Sequence, residues 1–328
     1  MGNQMPGHHV TLGVALLFLT VLFLGAAYVR APRKAPVRGW SWAGLAVILG
    51  AESLLLLDWL GRFRWLWVST FFTPLAWTGY LLFIDGLVWS LRADSRLGRA
   101  PGRFAALAFW SIPLWLIFEA YNLRLRNWTY VGLPNSTMAC GLGYVWSFAT
   151  IWPAIFETSD FVQSLGIFRR ERRHRIVFKS PTRLTILVLG LVFVAAPALF
   201  PARVGSYFFG AVWIGFALLV DPLNYRWKGR SLLRDLEEGE TSTLASFLLS
   251  GWICGILWEF WNYWASAKWL YVFPIGQGSK IFEMPLPGYL GFLPFAVECF
   301  AMYQFLRTVK NQLLKLRHAH RESVKLGV

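Results

Sequence analysis

Long apolar windows recur along this chain, several of them free of Lys and Arg, with short polar and basic segments between them. Each is about the length that crosses a bilayer core as a helix. The pattern predicts nine spans, at 10–29, 40–60, 65–89, 104–121, 138–158, 184–200, 205–222, 243–264 and 286–306. Composition agrees, since 56% of the residues are apolar and the mean hydropathy is +0.47, against roughly 45–50% apolar in soluble domains. The expectation is an all-α integral membrane protein of about nine transmembrane helices.

A net charge of +15 would suit a nucleic-acid partner, so the placement of the charge decides. Lys and Arg alternate between loops: segments 30–38, 92–103, 169–183, 226–234 and 307–328 hold 25 of the 32, and the intervening loops hold the other 7. That is the positive-inside pattern, with the N-terminus outside, the C-terminus in the cytoplasm and the chain in the cell (inner) membrane. RRERRHR at 169–175 lies between two spans and reads as a loop facing anionic lipid, with no nucleic acid as partner. The first span has no Lys or Arg before it and reads as a true span rather than a signal peptide. Cys140, Cys254 and Cys299 are odd in number and lie mostly in apolar segments, which implies no disulfide framework.

The spans repeat. Glu119 and Asn122 recur as Glu259 and Asn262, at an offset of 140. Trp128, Tyr130, Pro153 and Glu157 recur as Trp269, Tyr271, Pro294 and Glu298, at an offset of 141, and Asp85 is answered by Asp221 at an offset of 136. Phe118 and Tyr121 are answered by Trp258 and Trp261. Spans two to five thus correspond to spans six to nine, as parallel repeats about an axis along the membrane normal. The expected organisation is an N-terminal helix and basic loop (1–38), repeat 1 (39–183), repeat 2 (184–306) and a basic cytoplasmic tail (307–328). The Gly/Pro-rich loop 272–288 is long enough to fold over the outer mouth of the bundle.

Acids stand in these spans or at their edges, among them Glu52, Asp58, Asp85, Glu119, Glu157, Asp221, Glu259 and Glu298. An ionised acid in hydrocarbon is costly, so such residues face the bundle interior and serve function by default. A neutral carboxylic acid in a dry pocket is what general-acid chemistry needs. Asp85 and Asp221 lie beside basic loops, where pairing with Arg92 or Arg226 competes with catalysis. Glu259, Asn262 and Tyr263 share one helix face, so Asn262 is expected to orient the carboxyl, as Asn122 would for Glu119. The second half has the fuller set, since Leu123 stands where Tyr263 does. Many of the 19 Trp suit interfacial belts. Trp258, Trp261 and Trp269 differ in standing next to a motif acid, where π faces would stabilise a carbocation.

Other chemistry is excluded. The five His, at 8, 9, 174, 318 and 320, all fall outside the spans, against a His-ligated di-iron oxygenase. No DDxxD pair offers to bind a magnesium diphosphate, and no Gly-rich phosphate loop follows a strand. What remains is acid–base work without cofactor or metal.

WEFWNYWASAKWLY, followed by GYLGFLPFAVECFAMYQF, resembles the membrane lycopene cyclases of the heterodimeric and fused type. Trp258-Glu259, Asn262-Tyr263, Trp269-x-Tyr271 and Pro294 to Glu298 occupy the places of that family's motifs. A fainter likeness covers 119–157. Two places differ: the family's Pro-x-Glu-Glu is here a Pro with one Glu at the fourth place after it, and Asn follows the Trp-acid pair at the third place rather than immediately. The resemblance implies duplicated multi-span units and acid-initiated cyclisation or isomerisation of a long polyene, without net redox change. Catalysis would fall to Glu259, Glu298, Glu119 and Glu157 with Asn262 and Asn122. The substrate, a lipophilic isoprenoid or polyene, would lie against Trp258, Trp261, Tyr263, Trp269, Tyr271, Trp128 and Tyr130.

Three alternatives stay open. Quenching of the cation by water would make the chain a hydratase. Parallel repeats with unpaired acids also describe a proton-coupled or lipid-carrying transporter. A non-catalytic lipid-binding protein, in which Glu259 is dispensable, is the third.

Overall fold

The computed structural model describes residues 7–168 and 175–326; most of the basic segment RRERRHR lies outside them. In chain order the elements are α1 (His8–Arg30), α2 (Gly39–Trp59), α3 (Leu66–Thr70), α4 (Phe72–Arg92), α5 (Arg96–Arg99), α6 (Pro101–Leu125), β1 (Trp128–Val131) and α7 (Thr137–Leu165). They continue with α8 (Ser180–Leu199), α9 (Ala202–Arg226), α10 (Leu232–Glu237), α11 (Ser242–Trp264), β2 (Lys268–Tyr271), β3 (Lys280–Ile281), β4 (Met284–Pro285) and α12 (Leu286–Leu326). Among the described residues nine helices are long and apolar enough to cross a membrane, one for each expected span. The protein is an all-α membrane protein.

The two halves follow one plan. Each begins with a helical pair, α2 with α4 and α8 with α9, and the first member of each pair keeps much apolar surface outward. Helices can approach closely in a bilayer where small residues meet. A Cβ on Gly44 would overlap the Gly79 carbonyl oxygen, and one on Gly190 would overlap the Leu219 nitrogen. After the pair comes a short helix, α5 or α10, and its start is held from within the preceding span. Asp85 accepts from Ser95 Oγ and Leu97 N, and Asp221 accepts from Ser231 Oγ, Leu232 N and Leu233 N. These acids cap backbone N–H groups that the short helices leave open, so the expected pairing with Arg92 or Arg226 is replaced. Arg92 instead lies 3.6 Å from Asp160.

A long helix, a four-residue strand and another long helix complete each half. β1 and β2 pair antiparallel across the junction, with Trp128 opposite Tyr271 and Tyr130 opposite Trp269. Because 128 corresponds to 269 and 130 to 271, this register maps onto itself when the halves are exchanged. Asn127 carries the ladder further, its carbonyl accepting from Val272 N and Phe273 N.

Two features break the symmetry. The 272–288 loop carries the β3–β4 hairpin, which packs on the added helix α1 with Phe282 against Gly13. α12 runs unbroken for 41 residues to Leu326, so the expected separate tail at 307–328 is a direct extension of the last span. At about 1.5 Å per residue that helix is roughly twice as long as a bilayer core is thick.

Candidate functional site

α7 packs along α11, but the backbones of the corresponding pair, α12 and α6, do not approach each other closely. Aromatic side chains bridge the gap, with Phe295 of α12 touching Trp115 and Phe118 of α6 at ring-centre distances of 5.9 and 5.7 Å. Beside them lies a cavity of about 410 Å³, within the range of small-molecule sites. Both halves line it: Trp77, Trp115 and Phe148 face it from the first, Trp213, Trp258 and Phe295 from the second. Residues of β1 and β2 form part of its wall, and Phe273, Ile275 and Met284 of the long loop also line it.

Of the expected binding residues, Trp128, Tyr130, Trp258, Trp269 and Tyr271 line this cavity. The strand register explains four of them, since alternate residues of a strand face the same side.

The glutamates do not line it; two of them stand directly behind its wall. Tyr271 donates to Glu259 Oε1 at 2.9 Å, and Tyr130 donates to Glu119 Oε1 at 2.5 Å. Tyr is thus the group that meets an occupant, with a carboxyl behind it. Glu259 is 0% exposed, and its Oε2 makes no hydrogen bond of ordinary geometry. Glu119 has a second donor, Trp115 Nε1 at 2.9 Å. The phenols of Tyr130 and Tyr271 are held well above their ordinary value of 10.0, first by burial and next by the glutamate beside each, so both remain proton donors across the physiological range.

Asn262 and Asn122 do not orient the acids. Asn262 donates to the Trp269 carbonyl and accepts from Trp269 N, both at 2.9 Å, and Asn122 grips the backbone of Trp128 in the same way at 3.0 Å. An amide side chain offers a donor and an acceptor side by side, which matches a strand residue's own pair. Each Asn therefore sets the strand that carries the tyrosine.

Four further expected residues do not line the cavity. Tyr263 makes no hydrogen bond to Glu259; its ring packs on Trp264 and Phe282, with Lys268 Nζ 5.1 Å from its centre. Trp261 is buried away from the cavity, donates to Glu52 Oε1 at 3.0 Å and packs edge-on against Trp77. Glu298 accepts from Phe216 N of α9 at 2.7 Å, tying α12 to that helix. Glu157 lies 4.0 Å from Arg96, which is held at 2.7 Å by Asp160. One acid is turned to a neighbouring helix backbone and the other toward an Arg of the short helix α5.

Several residues of the site were not expected. Trp77 and Trp213 share the offset of Asp85 and Asp221, and each packs on the residue at the matching place, Trp77 on Trp258 and Trp213 on Phe118. That offset was the available signal. Trp115 and Asn127 break the repeat, with Gly255 and Lys268 in their places, and nothing in the pattern marks them.

No family model, curated protein or solved structure matches this chain.

Proposed function

We propose that this chain is a cofactor-free acid–base cyclase or isomerase acting on a lipophilic isoprenoid or carotenoid polyene, in the manner its resemblance to the membrane lycopene cyclases implies. The observation that supports this reading is the pair of carboxyl–tyrosine dyads, Glu259–Tyr271 and Glu119–Tyr130, whose phenols share one aromatic cavity. In the reaction, an alkene π pair takes a proton from the Tyr271 phenol, which draws a replacement from the Glu259 carboxylic acid. The carbocation then closes a ring or migrates against Trp258, Trp269 and Trp128, whose faces attract positive charge. The Tyr130–Glu119 dyad removes a proton from the adjacent carbon, and that C–H pair becomes the new double bond. One proton is gained and one lost, so the product is an isomer of the substrate.

In this reading the Lys and Arg distribution sets the orientation in a cell (inner) membrane: N-terminus outside, C-terminus in the cytoplasm, and the β1–β2 end of the bundle at the outer face.

The test is expression of the chain, beside Glu259→Gln, in a host that accumulates acyclic polyenes such as squalene or lycopene, with lipid extracts profiled by mass and retention time. An isobaric product of shifted retention, absent in the variant, is expected. A product heavier by one water would replace the reading with a hydratase, and unchanged lipids from a folded protein would overturn it for these substrates.

A further inference from the structure

The cavity is apolar in most of its lining, yet it holds a set of polar atoms that nothing in the protein satisfies. Asn127 is 1% exposed, and neither its Oδ1 nor its Nδ2 has a hydrogen-bond partner. Beside it in sequence, the buried Trp128 indole interacts with Glu119 and Tyr130. On α4, Thr73 Oγ1 and Trp77 Nε1 are unpaired like the Asn127 amide, one turn apart on the same helix face. All four residues line the cavity.

Buried polar groups in native proteins are nearly always hydrogen-bonded, so the three unpaired residues Asn127, Thr73 and Trp77 around one cavity point to its occupant. The Trp77 indole N–H can only donate, and the Asn127 amide and the Thr73 hydroxyl can donate as well. The set therefore calls for an acceptor oxygen. It does not call for an anion, because Lys268, the one cation among the described residues lining the cavity, lies 2.7 Å from Glu283. An unneutralised phosphate would need an Arg or Lys free to meet it.

We infer that the cavity recognises a neutral oxygen function, hydroxyl or carbonyl, on its lipophilic occupant through Asn127, Thr73 and Trp77. The anchor favours an oxygenated isoprenoid over a bare hydrocarbon of the same skeleton and over a phosphorylated lipid. This rests on the proposed reading of the cavity as an isoprenoid site. It adds a polar anchor that fixes which end of the chain lies at the strands and so which double bond meets Tyr271.

The experiment uses the full chain in nanodiscs and measures binding of three probes of one carbon skeleton: farnesol, farnesene and farnesyl diphosphate. Farnesol is expected to bind about tenfold or more tighter than farnesene, the factor a hydrogen bond or two supplies. Asn127→Leu should bring farnesol to the level of farnesene while leaving farnesene unchanged. Should that variant fail to fold, Trp77→Phe, which removes one N–H and keeps a ring, should narrow the same gap. Equal binding of farnesol and farnesene by the unaltered protein, or tightest binding of the diphosphate, overturns the polar anchor alone. Binding of none of the three by folded protein overturns the isoprenoid reading and the anchor with it.

Discussion

Trp115 and Gly255 each stand one helical turn before a motif glutamate, and the difference between them sets how that glutamate is held. The Trp115 indole donates to Glu119 across the turn. At Gly255 there is no side chain to donate, and the space is taken by Phe292, whose ring a Cβ there would overlap. Glu259 is left with the Tyr271 phenol as its one good hydrogen bond and a buried second oxygen. The two halves hold dyads of one design, and the Trp–Gly difference makes them chemically unequal.

Tyr271→Phe should therefore be the more damaging of two matched changes. It removes the one well-formed hydrogen bond to Glu259 and should lower stability by about 1–3 kcal/mol, the usual cost of weakening a buried polar group's bonding. Product formation should fall by about 100-fold or more, the range of a lost acid–base group. Tyr130→Phe leaves Glu119 the Trp115 bond and should cost less stability. Thermal unfolding in nanodiscs beside product yield would show this order; equal losses from both changes would contradict it.

Asn262→Ala acts through the strand. Both bonds to the Trp269 backbone would go, and the amide and carbonyl freed would lose their partners. Hydrogen exchange at Trp269 and its neighbours in β2 should speed up, and the change should act on substrate binding as well as turnover because it releases Trp269 and Tyr271 together. Unaltered exchange in β2 would show that the side chain does not hold the strand.

The nine spans were legible because the membrane requires long apolar helices and the chain supplies nothing else in those windows. The repeat was legible where it carried unusual residues: Asp85 and Asp221, Glu119 and Glu259, the Trp-x-Tyr pairs. What the sequence could not show was direction. Asn262 and Tyr263 lie within about one turn of Glu259, which licenses a shared face but not a shared hydrogen bond. Tyr271, further along the chain, takes the place at Glu259 because β2 folds back over the helix end. For Glu298 the deciding partner is a backbone N–H on α9, in a different span of the same half. Such contacts belong to the packed bundle, and helical spacing within one segment carries no trace of them.

Glu298→Gln and Glu157→Gln should leave the product unchanged. Glutamine keeps an acceptor for Phe216 N, so the tie from α12 to α9 survives in the first. In the second, Arg96 keeps Asp160 at 2.7 Å. Glu298→Leu, by contrast, leaves no acceptor for Phe216 N and should destabilise the bundle. Loss of product in Glu298→Gln with unfolding unaltered would place that acid in the chemistry after all.

Alkaline pH offers a test of the dyads that needs no substrate. Tyr130 and Tyr271 lie on the strands, outside the spans, and in the folded protein both phenols are held well above 10.0, by burial first and by the neighbouring glutamate second. In the unfolded chain they ionise near 10. Above that pH the unfolded state has released protons that the folded state still holds, so stability falls as pH rises. The stabilisation is fully present below about pH 10 and drains away above it. Denaturant midpoints measured from about pH 8 to 12 should drop beyond the ordinary phenol range, and the drop should be shallower in Tyr271→Phe. Phenolate absorbance from these two residues should rise together with unfolding. If both phenols ionised near pH 10 with the fold intact, neither could be sealed against its glutamate, and the dyads would lose their standing as proton relays at the cavity.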